Sequence, residues 1–142
     1  MRALTVVPLK ADSLAVTDMP DPTRGDDELL VEGLALGVCG TDHEISEGAY
    51  GWAPDGAERL ILGHESLGRV LEAPEGSEFA PGDLVVGSVN ANRRHYEEAA
   101  AVLDRADNAW LERLITRRVP LEDFAQAFER QDGDVKVVLD LT

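Results

Sequence analysis

The sequence predicts an α+β domain that is mainly antiparallel β-structure with a few helices. Short apolar runs separated by turn residues fill the chain up to Gly87, which is typical of antiparallel strands. Apolar residues at helical spacing follow, and an apolar run over 135–141 predicts a closing strand. We expect that strand to return into the sheet begun by the N-terminal segment, because an apolar strand needs a covered face.

The individual elements follow from the same two patterns. The first part of the chain predicts strands over 4–7, 14–16, 29–31, 67–71 and 84–86, separated by turn signals such as Pro81-Gly82-Asp83. The second part predicts helices over 93–106 and 110–116. A third helix is expected after Pro120, with four apolar residues on one face: Leu121, Phe124, Ala125 and Phe128.

Length and composition limit the possible classes of protein. The 142 residues are 44% hydrophobic, which is enough to bury a core without crosslinks, and the single cysteine excludes an intrachain disulfide. The chain contains no run of about 18 apolar residues that would predict a membrane-spanning helix. Its first ten residues predict a strand rather than a secretory signal, so we expect a cytoplasmic protein.

The charge of the chain is strongly negative. Asp and Glu number 28 against 13 Lys and Arg, which gives a net charge of −15. Such a chain repels phosphate backbones and anionic membrane surfaces, so neither nucleic acid nor a membrane is an expected partner. Only Lys10 and Lys136 are lysines, and this acidic, lysine-poor composition is typical of proteins that work in concentrated salt.

Three residues in the middle of the chain form a candidate metal site. Cys39, His64 and Glu65 offer a thiolate, an imidazole and a carboxylate. Three such ligands suit a catalytic zinc ion, because they leave one position open for a substrate oxygen or water. The alternative interpretation is that Cys39 is a small buried hydrophobe and that His64 is an ordinary hydrogen-bonded or exposed imidazole. Spacing alone favours that alternative.

The sequence around these residues resembles that of the zinc-dependent medium-chain alcohol dehydrogenase family. The resemblance rests on GVCGTD over 37–42, GHESLG over 63–68 and PGDLVV over 81–86. The glucose dehydrogenase branch of haloarchaea is still more similar, through residues 41–44, 48–56 and 60–65 and through short matches near Asn90 and in the last third of the chain. The resemblance implies a GroES-like, partly open β-barrel as the catalytic domain.

The resemblance also implies roles for individual residues. Cys39, His64 and Glu65 correspond to the family's metal ligands. Thr41 matches the residue whose hydroxyl bonds the reacting substrate oxygen, and Asn90 matches an asparagine that contacts sugar and cofactor. The expected catalytic set is thus Thr41, Cys39, His64 and Glu65, and the expected substrate-binding pair is Thr41 and Asn90.

Two neighbours of Thr41 have two interpretations each. Asp42 and His43 could orient the metal ligands. Alternatively, Asp42 could cap a helix N-terminus and His43 could be a surface imidazole. The residues themselves leave both interpretations open.

Members of this family also carry an inserted Rossmann domain that binds the nicotinamide nucleotide, and this sequence has no counterpart. No two of its glycines stand two positions apart, so the G-x-G-x-x-G turn is absent. The family's later zinc-contacting glutamate lies in a Glu-Pro dipeptide, which is also missing. We therefore expect a single GroES-like catalytic domain over 1–142, assembled from segments 1–87 and 88–142 that join where a Rossmann domain would be inserted.

Three functions remain open at this point. The chain could be the zinc- and sugar-binding catalytic domain of an NADP-dependent glucose 1-dehydrogenase, with a weakened zinc site and no activity or NADP binding alone. It could instead be a minimal engineered scaffold adapted to salt, with a vestigial metal site and no enzymatic role. A GroES-like interaction module is the third possibility. Family oligomers assemble mainly through the absent domain, so a monomer is expected.

Overall fold

The structure, a computed structural model, describes all 142 residues and is about 30% strand and 22% helix. The chain forms eight strands, four α-helices and a 3₁₀ turn. The strands are β1 (Arg2–Val6), β2 (Ala15–Asp18), β3 (Leu30–Val38), β4 (Leu60–Ile61), β5 (Ser66–Glu72), β6 (Leu84–Gly87), β7 (Ile115–Pro120) and β8 (Lys136–Asp140). The helices are α1 (Gly40–Ser46), α2 (Arg93–Leu103), α3 (Asn108–Glu112) and α4 (Phe124–Phe128), and the 3₁₀ turn covers Leu121–Asp123. The predicted α+β class is confirmed.

The strands form two sheets. The smaller sheet has the order β2-β1-β4, and the larger one has the order β6-β5-β3-β8-β7. All neighbouring strands are antiparallel except β7 and β8, which are parallel. The expected return of the closing strand is confirmed, because β8 lies between β3 and β7 and pairs Leu139 with Leu36. Its N-terminal neighbour Val135 lies outside the strand and is exposed.

One core joins the two sheets. Leu4 and Val6 of β1 pack in a single cluster with Leu139 of β8, Ile45 of α1 and Ala127 of α4. All five side chains are less than 9% exposed. The cluster therefore ties the first strand to the last, and it fixes α1 against the end of the larger sheet.

An open groove of about 750 Å³ separates the sheets on one side. Its walls include Leu4 and Ile61 from the smaller sheet and Leu36, Leu71 and Leu141 from the larger sheet and its C-terminal extension. The sheets thus meet on one side and part on the other, as in a barrel that is only partly closed.

Three helix predictions need correction. The helix predicted over 110–116 ends at Glu112, and Ile115 begins β7 instead. The β-branched residues Ile115 and Val119 are partly or fully buried at alternate positions of that strand, whose parallel pairing with β8 overrides local helical spacing. The helix predicted over 93–106 stops at Leu103. In α4 the buried alanine is Ala127, not Ala125.

Helix α2 makes little contact with the rest of the protein. None of its residues is buried, and it is held locally by the Asn92 side chain, which accepts a hydrogen bond from the His95 N–H. Neither α2 nor any other helix has the length and apolar character needed to cross a membrane.

Candidate metal centre

The pairing of β3 with β5 brings the predicted ligands together. Leu36 of β3 faces Ser66 of β5, and the Gly37 N–H donates to the Glu65 carbonyl at 2.8 Å. Antiparallel strands place the end of one beside the start of the other. Cys39 follows β3 and His64 precedes β5, so these two residues meet at the same end of the sheet.

The three side chains form one cluster. The Sγ of Cys39 lies 3.2 Å from Nε2 of His64, and one donor atom from each of Cys39, His64 and Glu65 lies within 4.8 Å of the others. All three residues are half-buried. The cluster is thus sheltered from bulk solvent while keeping an open side.

Asp42 contacts two residues of this cluster, Cys39 and His64. Its carboxylate accepts a hydrogen bond from the Cys39 N–H at 2.9 Å, while its other oxygen lies 3.6 Å from Nδ1 of His64. Asp42 is only 3% exposed and is the one buried acidic residue of the chain. A carboxylate beside Nδ1 favours the tautomer that leaves Nε2 free to face the metal position. The helix N-cap is Cys39 rather than Asp42, although Asp42 bonds back to the cap backbone.

Two glycines permit the close approach of the strands. Gly63 has φ +133°, and a Cβ there would meet Cδ2 of Leu36 at 2.7 Å. A Cβ at Gly37 would meet the Oε2 of Glu65 at 2.5 Å. The backbone between Leu62 and Glu65 can therefore turn into β5 only because position 63 has no side chain.

The other predicted site residues lie in different surroundings. Thr41 is half-buried in the first turn of α1, two residues after Cys39. His43 packs edge-on against Phe128 of α4, with ring centroids 5.3 Å apart, and this contact connects α1 to α4. Asn90 is exposed in the turn between β6 and α2, has φ +69°, and makes no hydrogen bond to the three candidate ligands.

Sequence reasoning missed Lys136 as a neighbour of this centre. Its Nζ donates to the Oε2 of Glu65 at 2.6 Å and lies 3.3 Å from the carbonyl oxygen of Val38. The only signal in the sequence was that Lys136 is one of two lysines in a chain that otherwise uses arginine. It also borders a cleft of about 340 Å³ that includes Glu65 and Ser66.

The residues present fit a zinc ion. Sulfur, nitrogen and oxygen donors are those that zinc prefers, at bond lengths of about 2.0–2.3 Å. Tetrahedral coordination with such bonds requires donors about 3.3–3.6 Å apart. The Sγ of Cys39 and the Nε2 of His64 lie 3.2 Å apart, close to that spacing, and a carboxylate oxygen of Glu65 lies within 4.8 Å of the other donor atoms.

Glucose dehydrogenases are among the known proteins that resemble this chain. The family profile described as "Glucose dehydrogenase C-terminus" matches residues 77–141. The glucose 1-dehydrogenases of Thermoproteus tenax and Methanocella arvoryzae are 48% and 49% identical over 90 residues, which is 63% of this chain and 26% and 25% of theirs. The solved Haloferax mediterranei glucose dehydrogenase in complex with NADP, Zn and gluconolactone superposes with a TM-score of 0.55 at 36% identity, over 68% of this chain and 28% of that one.

The chain is similar to zinc-dependent medium-chain dehydrogenases of the glucose dehydrogenase branch. It spans about a quarter of the length of the curated glucose dehydrogenases that it matches. The profile match over 77–141 crosses position 87, the end of β6, and continues through all of α2, α3 and α4 to β8. The predicted resemblance to this branch, which includes the Haloferax enzyme, is confirmed.

Proposed function

We propose that this chain is the zinc- and sugar-contacting catalytic domain of a glucose 1-dehydrogenase. The observation that carries the proposal is the cluster of Cys39, His64 and Glu65, which the family fold assembles at one end of the larger sheet. The Haloferax relative contains zinc, NADP and gluconolactone, so the same branch of the family handles both the metal and a sugar lactone.

In this proposal Cys39, His64 and Glu65 hold the metal. When bound, zinc supplies Lewis acidity toward an alcohol oxygen, which eases loss of the hydroxyl proton. Asp42 keeps the imidazole of His64 in the ligating orientation. Thr41, two residues after Cys39 in the first turn of α1, would accept a hydrogen bond from the sugar hydroxyl and relay its proton by giving its own hydroxyl proton to solvent.

The chain alone should not complete the dehydrogenase reaction. Hydride transfer needs a nicotinamide cofactor held within about 3.5 Å of the reacting carbon. Dinucleotide-binding domains of the Rossmann type are built on a doubly wound parallel sheet. In this chain only β7 and β8 pair in parallel. We therefore expect zinc and sugar to bind without turnover, and NADP not to bind.

X-ray absorption at the zinc edge tests the metal site directly. The zinc-loaded protein should show one sulfur neighbour at about 2.3 Å and nitrogen or oxygen neighbours at about 2.0–2.1 Å. The variant Cys39→Ser should lose the sulfur neighbour. A spectrum with only oxygen neighbours in the unmodified protein would contradict the proposal and favour a vestigial site.

Contact with sugar is tested on the zinc-loaded protein by NMR. Addition of glucose should shift the backbone signals of Thr41 and Asn90. Signals of the exposed residues Asp26 and Asp27 serve as the control and should not move. Shifts confined to surface loops away from Thr41 would contradict the sugar-binding role.

A further inference from the structure

We propose that Lys136 competes with the metal ion for the carboxylate of Glu65 and so lowers the affinity of the site for zinc. This inference rests on the proposed metal site and adds a residue to it. Lys136 acts on the metal only through Glu65, so it is a positioning residue.

The contacts of Lys136 show how the carboxylate is held. The ammonium Nζ lies 2.6 Å from the Oε2 of Glu65 and 3.3 Å from the carbonyl of Val38, the residue before Cys39. The same Oε2 is the atom that a Cβ at Gly37 would meet at 2.5 Å. The carboxylate of Glu65 therefore lies against the backbone of β3, and the ammonium of Lys136 in β8 binds it there.

The ion pair with Lys136 occupies one of the two oxygens that Glu65 could offer to a metal. Cys39 and His64 are already at a ligand–ligand spacing, at 3.2 Å. A carboxylate oxygen of Glu65 lies within 4.8 Å of the donor atoms of both. A metal ion at this cluster must share the Glu65 carboxylate with the Lys136 ammonium, which donates to its Oε2 and also lies against the Val38 carbonyl.

Electrostatics act in the same direction. The side chains of Lys136 and Glu65 are 33% and 34% exposed, so their attraction is only partly screened by water. A divalent ion that binds Glu65 must weaken this ion pair and also approach the positive charge of Lys136. The buried carboxylate of Asp42 lies beside His64 and forms no ion pair with Lys136.

An orienting role would have the opposite effect. A partner that holds a ligating carboxylate in place raises metal affinity, and its loss weakens binding by about 10- to 100-fold. The two roles of Lys136 therefore predict changes of opposite sign, which makes the proposal sharply testable.

The experiment is a zinc titration against a chromophoric chelator, with circular dichroism used to check that each variant is folded. Lys136→Met keeps the aliphatic stem and removes the charge, and it should bind zinc about two- to fivefold more tightly, as expected for a partly exposed ion pair. Lys10→Met is the matched control, because Lys10 is the other lysine, is exposed, and gives the same net charge. It should leave the affinity unchanged.

A double-mutant cycle shows whether the effect runs through Glu65. In the Glu65→Gln background, Lys136→Met should no longer tighten zinc binding. Equal or weaker binding by Lys136→Met in the unmodified background, or an equal gain in the Glu65→Gln background, would overturn the proposal. Failure of the unmodified protein and of Lys136→Met to bind any zinc would instead contradict the proposed metal site.

Discussion

The Sγ of Cys39 and the Nε2 of His64 lie 3.2 Å apart although 25 residues separate them in the chain. The antiparallel register of β3 and β5 produces this proximity, with Leu36 opposite Ser66 and the Gly37 N–H bonded to the Glu65 carbonyl. The geometry of the candidate centre is therefore a property of the sheet, and it should survive or fail with the turn that enters β5.

Gly63→Ala should destabilise the protein. Its φ of +133° is unfavourable for any residue with a Cβ, and the new methyl group would meet Leu36 at 2.7 Å. We expect a loss of about 2–4 kcal/mol in the free energy of unfolding, from backbone strain together with overpacking. Urea denaturation followed by circular dichroism measures this change.

Gly76→Ala is the control for that substitution. Gly76 also has a positive φ, +77°, but a Cβ there would meet nothing within 4 Å. It should lose only the strain component, about 1–2 kcal/mol. Equal losses at both positions would show that the approach of Leu36 to Gly63 is not tight.

Much of the sheet and of the candidate centre could be predicted from the sequence. Five apolar runs gave strands close to β1, β2, β5, β6 and β8, because their alternation and flanking turn residues are local signals. The motifs around Cys39 and His64 predicted that the candidate ligands lie close together. Family motifs carry information about tertiary contacts that local periodicity does not.

Other parts depended on contacts that a single sequence does not show. The helix predicted over 110–116 included the first two residues of β7, Ile115 and Thr116, whereas the structure pairs Ile115 with Lys136 of β8. The strand predicted over 29–31 included only Leu30 and Val31 of β3, because Gly33 and Gly37 interrupt the apolar pattern of the rest. Lys136 and Glu65 are 71 positions apart in the chain, and no local sequence pattern predicts their contact.

Asp134 should make stability depend on pH. Hydrogen bonds from the Arg117 guanidinium, at 2.8 and 2.9 Å, hold the pKa of this carboxyl below its ordinary value. A depressed pKa in the folded state contributes stability above the unfolded-state value of about 3.9, and this contribution is lost as pH falls through the folded-state pKa. Asp134→Asn should therefore be less stable than the unmodified protein at pH 7, with the difference shrinking below about pH 4.

Urea denaturation at a series of pH values measures that difference. Asp132→Asn is the matched control, because Asp132 is an exposed carboxylate nearby that makes no hydrogen bond or ion pair. Its stability should follow that of the unmodified protein at every pH. A difference between Asp134→Asn and the unmodified protein that stayed constant from pH 7 to about pH 2 would rule out the titration of Asp134 as its cause.

Truncation after Asp132 should unfold the protein globally. The deletion removes β8, which pairs with both β3 and β7 and supplies the buried residues Val137, Val138 and Leu139. Deleting the exposed Thr142 alone should leave a cooperative thermal transition and serves as the control. A cooperative transition in the longer truncation would contradict the central position of β8.

Stability should rise with salt concentration. All acidic residues except Asp42 are at least partly exposed, and residues 1–87 carry 17 acids against 5 bases. Their repulsion extends over about 30 Å at 0.01 M salt and about 3 Å at 1 M. The melting temperature should increase across a KCl series, and Asp26→Asn with Asp27→Asn should reduce the increase. A melting temperature that does not change from millimolar to molar KCl would contradict this adaptation to salt.

Calorimetric zinc titration of four proteins is the most direct test of the candidate metal centre. The unmodified protein and the control His95→Asn, which alters an exposed histidine on α2, should bind one zinc ion with equal affinity. Binding should be weak, because three protein ligands leave the fourth position to water. Cys39→Ser and His64→Asn should each lose at least about tenfold in affinity. Equal affinity in Cys39→Ser and the unmodified protein would contradict a metal centre built on Cys39 and His64.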